Sequence, residues 1–263
     1  MRRLEEVAAG VWVATSRRMA TTSTVLVGGR DALLVDPAWD ADELAALADA
    51  LRERGLNVRA GFATHAHHDH LLWHPAFGDV PRWASDATAA LAASERSALV
   101  DHLGSRMPSP LVELMGRVRG VVAEIPDDSV PKDVEIELIV HDGHAPGHTA
   151  LWLPGARVLI AGDMLSDVEL PLPFFPDDLT AYLEALDRLA DAAARALVVV
   201  PGHGHVGRDA RARLDADRRY LEQMIRDGRS DDPRIANPGM AEEHAHLMRL
   251  AAEHRRAGGR LTE

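Results

Sequence analysis

The sequence predicts an α/β fold, and three observations lead there. A strand-like run at Ala32–Val35, a helix-like stretch from Asp40 to about Arg54 and a second strand-like run from Val58 to Thr64 follow one another as a βαβ unit. Further short β-rich runs alternate with helical stretches that carry leucine stripes. Apolar residues make up 46% of the 263 positions and aromatic residues only 4%, so aliphatic side chains and alanine must do most of the packing in a full-sized core.

Taken in order, three β-rich runs come first: Val11–Ala14, Thr22–Val27 and Ala32–Val35, with Gly28-Gly29 marking a hairpin between the last two. Asp36-Pro37 stops the third. Asp40 and Glu43 form a capping-box-like helix start, Leu44, Leu47 and Leu51 give the helix one apolar face, and Gly55 ends it. Val58–Thr64 is the next strand; beyond it Leu71, Leu72 and Trp73 read as a short packed segment. A short strand is expected near residues 80–84 and an alanine-rich helix from about Asp86. Residues 94–131 mix helix-like pieces with prolines and read as a helical insertion, in which Met107, Leu111 and Met115 form an apolar stripe.

Val134–Val140 alternates charged and apolar residues as a half-buried strand does. Ala150–Leu153 and Arg157–Ala161 flank a second hairpin signal, Pro154-Gly155. The loop at 166–176, rich in proline and leucine, carries Phe174 and Phe175, the best candidates for a substrate wall. A helix capped by Asp177 or Asp178 runs to about Ala194, Leu197–Val200 is a buried strand, and charged helices are expected at about 208–226 and 241–255. Nothing splits the chain cleanly, so 1–263 reads as a single domain with a C-terminal helical extension at about 228–263.

The composition removes several function classes. There is no cysteine, so disulfides and thiolate metal ligands are both excluded. A formal charge of −12 disfavours a nucleic-acid partner. The opening Met1-Arg2-Arg3-Leu4-Glu5-Glu6 has no apolar run behind its arginines, and no stretch approaches the ~18 apolar residues of a membrane span, so a soluble cytoplasmic protein with no membrane partner is expected.

The chemistry concentrates in Thr64-His65-Ala66-His67-His68-Asp69-His70. Imidazole nitrogen and carboxylate oxygen are ligands for borderline divalent ions. On an extended backbone His65 and His67 project to one side, and a turn after them would aim Asp69 and His70 at a second ion. One cluster cannot complete two coordination spheres, so lone ligands are expected downstream at the ends of apolar runs. His148, Asp163 and His203 are the candidates, each beside a glycine.

The order HxHxDH, PGHT, GD and PGHG, from His65 to Gly204, resembles the metallo-β-lactamase fold superfamily over about residues 10–225. The resemblance implies a four-layer αββα sandwich with the site at one edge. It implies that His65, His67 and His148 hold one ion, Asp69, His70 and His203 a second, and Asp163 bridges them. It also implies that Asp36 supports the ligand loop from behind, although Pro37 and Ala38 stand where that motif usually has threonine and glycine. Two Zn2+ are the implied cofactors, with Fe or Mn as alternatives.

Two divalent cations outweigh two carboxylates, and the surplus positive charge favours a bridging hydroxide as nucleophile near neutral pH. Asp69 is the candidate catalytic residue, orienting that hydroxide or passing a proton to the leaving group. The resulting expectation is a dinuclear hydrolase cleaving a small ester, thioester or lactone, glyoxalase II-like or lactonase-like. The alternatives are an iron-dependent redox enzyme resembling the persulfide dioxygenases, a β-lactam or phosphodiester hydrolase, and a non-catalytic metal-binding protein. The remaining histidines near these motifs, His68, His141, His144 and His205, are expected behind the ligands or at the surface, and the C-terminal arginines are candidates for a glutathione carboxylate.

Overall fold

In the computed structural model, which describes residues 3–104, 107–174 and 176–256, the eleven strands found among those residues form two sheets. The first runs in chain order: β1 (Glu5–Ala8), β2 (Val11–Thr15), β3 (Thr22–Gly28), β4 (Asp31–Val35), β5 (Asn57–Phe62), β6 (Arg82–Ser85) and β7 (Arg119–Val121). Pairing is antiparallel from β1 to β4 and parallel from β4 to β7. The sense changes where α1 (Ala41–Glu53) carries the chain back to the start of β5. The second sheet has the order β11 (Val198–Pro201), β10 (Val158–Gly162), β9 (His148–Leu153), β8 (Glu137–His141); β10 and β11 are parallel across α5 (Leu179–Arg195), and the other pairs are antiparallel.

Side-chain parity along the strands builds four layers. Leu33 and Val35 of β4 face Leu151, Leu153, Val158, Ile160, Val198 and Val200 of the second sheet in the core between the sheets. Their neighbours Ala32 and Leu34 face the other way, onto Leu44, Leu47 and Leu51 of α1. Likewise Ala150, Trp152, Leu159, Ala161 and Val199 turn from the inter-sheet core to α5, α6 (Ala210–Asp227) and α7 (Met240–Arg256). Both faces of β4, β9, β10 and β11 are covered, which is why these segments read as continuous apolar runs rather than alternating ones. The αββα sandwich implied by the sequence is the observed architecture.

Two local expectations change. Asp40 stands at the start of α1, but its side chain makes no cap; it reaches Arg17 at 3.0 Å, while Glu43 accepts from Ser16 Oγ at 2.6 Å. The α1 start is thus tied to the β2–β3 loop instead of to its own backbone. The 94–131 segment holds α3 (Arg96–Leu103) and α4 (Ser109–Leu114), after α2 (Asp86–Ser94), but it also contributes β7 as an edge strand. Three residues are too few to carry a readable period. Leu111 and Met115 of that segment's stripe are buried against the α1 side of the core, and Met107 packs on the same cluster. No helix among the described residues is long and apolar enough to cross a membrane.

Candidate metal centre

Parallel strands put their C-terminal ends on one edge, and the candidate ligands sit there. His65 follows β5, Asp163 follows β10 and His203 follows β11, while the loop joining β8 to β9 reaches the same edge. Gly162 and Gly202 let these turns close. Gly162 adopts φ +54°, and a Cβ on it would collide with the His148 ring; a Cβ on Gly202 would collide with the Asp163 carboxylate.

Two groups of ligand atoms converge: His65, His67, His144 and Asp163 in one, and Asp69, His70 and His203 in the other. In the first, His67 Nδ1 lies 2.9 Å from His65 Nε2 and 3.1 Å from His144 Nε2, and Asp163 Oδ2 lies 3.4 and 3.3 Å from those two Nε2 atoms. In the second, His203 Nε2 is 3.2 Å from Asp69 Oδ2 and 3.4 Å from His70 Nε2. Asp163 touches this group as well, with Oδ1 3.2 Å from His70 Nε2 and Oδ2 3.3 Å from His203 Nε2.

The rings are aimed by what holds their far nitrogens. His144 Nδ1–H donates to the Leu172 carbonyl at 2.7 Å, so Nε2 turns a bare lone pair inward. His65 Nδ1–H donates to Thr64 Oγ1 at 3.0 Å, and that hydroxyl donates to Asp36 Oδ2 at 2.6 Å. Asp36 also accepts from the Thr64 backbone N–H at 2.8 Å and from His70 Nδ1–H at 2.9 Å, so one buried carboxylate orients a ring in each group. Asp36 itself turns through φ +48°, a region aspartate tolerates better than most residues. His203 Nδ1–H donates to the Met19 carbonyl at 3.2 Å.

The donor set fits divalent cations. Bare imidazole lone pairs and a carboxylate oxygen aimed at one point repel one another until a cation sits among them, and Asp163 Oδ1 is buried with no hydrogen-bond partner among the described residues. Burial lowers His65 to about 4 and holds His67 well below the ordinary imidazole value, so both rings are neutral donors. Burial also opposes charge on His70 and His203, but the Asp163 and Asp69 carboxylates outweigh it and hold both rings well above the ordinary value. The second group therefore demands positive charge.

His148 was expected among the ligands and falls outside both groups. As the first residue of β9 it is fully buried, and both its nitrogens are committed: Nε2 accepts from the Asp163 backbone N–H at 3.0 Å, and Nδ1 pairs with His141 Nε2 at 3.2 Å. His144 stands in the first group instead. The signal for it was a second Gly-His pair, Gly143-His144, four residues upstream in a loop. His205 is half-exposed and paired with Asp167, while Trp73 is buried and packs on Phe77.

Both groups open into a cavity of about 850 Å³. Phe174 is on its wall, with its ring edge-on to those of His67 and His144; Phe175 lies outside the described residues. Sequence reasoning missed the opposite walls. Met19 and Ala20 come from the β2–β3 loop, Glu169 from the loop after Asp163, and Asn237 to Met240 with Glu243 from the C-terminal extension. That extension is tied to the Glu169 loop: Arg234, buried and paired with Asp217 at 2.6 Å, donates to the Ser166 and Glu169 carbonyls at 3.0 and 2.9 Å, and Asn237 donates to the Val168 carbonyl at 2.7 Å.

Comparison with known proteins agrees with this geometry. The family model described as "Metallo-beta-lactamase superfamily" matches residues 17–203. A probable metallo-hydrolase, YflN of Bacillus subtilis (strain 168), is 28% identical over 182 residues, 57% of this chain and 66% of the relative, so the match spans just under two thirds of that protein. Among solved structures, a β-lactamase domain protein from Burkholderia ambifaria superposes with a TM-score of 0.70 at 20% identity, covering 99% of this chain and 90% of that one. A metallo-β-lactamase family protein from Thermus thermophilus gives 0.62 at 22% identity, covering 95% and 94%. At such identities these two structures speak for the fold.

Proposed function

Because the chain belongs to the metallo-β-lactamase superfamily, we propose that it is a metal-dependent hydrolase of a small acyl substrate: an ester, thioester or lactone. The observation that carries this reading is the convergence of two histidine and carboxylate groups about Asp163 at the inner end of one cavity. The name of the Bacillus relative, a probable metallo-hydrolase, supports it. His65, His67, His144 and Asp163 would hold one divalent ion, and Asp69, His70 and His203, with Asp163 in reach, a second. Zinc suits this nitrogen and oxygen set, with iron and manganese as alternatives.

When bound, such ions supply a water that ionises near neutral pH and a Lewis acid for the substrate carbonyl. The chain's residues do the remaining work. Leu172, Thr64, Asp36 and Met19 keep the lone pairs of His144, His65, His70 and His203 pointed inward, so little reorganisation is needed at the moment of reaction. Asp69 is the buried carboxylate proposed to accept the proton of the attacking water and pass it to the leaving group. Phe174, Leu172 and Met240 line an apolar cavity that seats the substrate body and keeps bulk water out.

The test is metal analysis joined to turnover. The zinc-loaded protein should bind two ions per chain and hydrolyse members of a panel of lactones, thioesters and aryl esters. A chelator should abolish the activity, and His67→Ala and Asp69→Ala should lose it. No turnover across the panel, full activity in both variants, or stoichiometric iron with oxygen consumption would each defeat the reading.

A further inference from the structure

The walls of the cavity carry charge that the metal centre does not use. Asp69 and Asp163 are taken up by the two ligand groups, but Glu169 and Glu243 also line the space and belong to neither group. Among the described lining residues there is no lysine or arginine. The rest of the wall is largely apolar, with Met19, Leu172, Phe174 and Met240 the larger contributors.

Glu169 is the more informative of the two carboxylates. Its side chain is 17% exposed and accepts no hydrogen bond from a described residue; the nearest ring nitrogen, Nδ1 of His203, is 3.9 Å away and already donates to Met19. Its backbone is clamped on both sides: the N–H donates to Ser166 Oγ at 3.0 Å, and the carbonyl accepts from buried Arg234 at 2.9 Å. The fold therefore commits a buried ion pair and a side-chain hydroxyl to holding a largely buried carboxylate, without a hydrogen-bond donor, at the edge of the reaction space. Such a carboxylate costs free energy unless a cation or a strong hydrogen-bond donor meets it. Among the described residues only the His203 ring approaches it, at 3.9 Å and beyond hydrogen-bond distance, and a ligand is the natural closer partner.

We propose that the cavity selects acyl substrates with an apolar body and a cationic amine, and that Glu169 is the residue that determines this preference, with Glu243 adding to the same field. This rests on the hydrolase reading of the same site. It separates the protein from enzymes whose substrates carry a carboxylate or phosphate beside the scissile group, because such a group would be desolvated against Glu169. The C-terminal arginines offer no counterweight within the described wall.

The experiment uses the zinc-loaded full chain and two matched pairs of probes. The p-nitrophenyl esters of caproic and aminocaproic acid report hydrolysis; caproamide and aminocaproamide, followed by calorimetry, report binding without turnover. The amine-bearing member should be favoured about ten- to a hundredfold in each pair, the range of a charge-assisted contact, with the ester difference residing in KM. Glu169→Gln, which keeps the shape and the metal ligands, should bring both ratios to near unity at unchanged metal content. Equal or better use of the neutral member by the native protein, or a preference that survives in Glu169→Gln, overturns the proposal; the native comparison decides alone if the variant does not fold. Hydrolysis of both esters without preference refutes this inference and leaves the hydrolase reading standing. A calorimetric preference with neither ester cleaved does the reverse.

Discussion

Exchanging the roles of His144 and His148 is the sharpest prediction of the structure. His148→Ala removes an acceptor from the buried Asp163 N–H and a ring partner from His141, at bonds of 3.0 and 3.2 Å. One orphaned buried donor at about 1–3 kcal/mol and one lost hydrogen bond at about 1 kcal/mol give a stability loss of about 2–4 kcal/mol. For a chain of this size that lowers the thermal midpoint by about 4–16 °C. In the metal-free protein His144→Ala loses the bond to the Leu172 carbonyl, while its Nε2 faces the bare lone pairs of His67 and Asp163 and adds little, so a smaller loss of about 1 kcal/mol is expected.

The metal effects should run the opposite way. His144→Ala removes a ligand of the His65 group and should drop one ion per chain, weakening that group by more than the roughly 10–100-fold that losing a supporting partner costs. His148→Ala should retain both ions, with at most that smaller weakening. Thermal unfolding in chelator isolates the protein term from metal linkage, and elemental analysis after dialysis counts the ions. Loss of an ion from His148→Ala without a stability change, with His144→Ala fully loaded, would refute the ligand assignment and the accounting behind it.

Asp36→Ala should cut metal affinity in both groups by about 10–100-fold, read by chelator competition, because it deletes the acceptor for Thr64 and His70. Lowering the pH should release an ion from the Asp69, His70 and His203 group first. Raised ring pKa values mean that protons compete early there, whereas His65, lowered to about 4, resists protonation; stoichiometry measured at about pH 7.5 and about pH 5.5 checks the order. Arg234→Ala should cost about 3–5 kcal/mol in urea unfolding by leaving the buried Asp217 without its cation, and Asp217→Ala added to it should recover part of that loss.

The strands, the leucine-striped helices and six of the seven residues that converge in the two groups were legible because each is written locally. Val158–Gly162 and Val198–Pro201 are apolar because both faces are covered, and a polar residue following such a run is carried to the sheet edge with it. The choice between His144 and His148 was not local: both follow a glycine, and only the β8–β9 pairing, which sets His148 opposite His141, decides that one ring is locked inside and the other free to face the site. The α1 start departs from its local pattern for a similar reason, since Arg17, far outside that pattern, claims Asp40.

By itself, then, the sequence determined the alternating strands and helices and a donor cluster of nitrogen and oxygen alone, because strand periodicity and ligand chemistry are properties of short segments; the four-layer stacking was implied only by the family resemblance. Only the tertiary structure decided which histidine faces the site and what encloses the cavity. Its far wall comes from residues more than two hundred positions apart, Met19 and Met240, and the latter's segment is brought there by a buried arginine and an asparagine gripping loop carbonyls. Such contacts leave no period or motif in the chain; they exist only once the layers have packed.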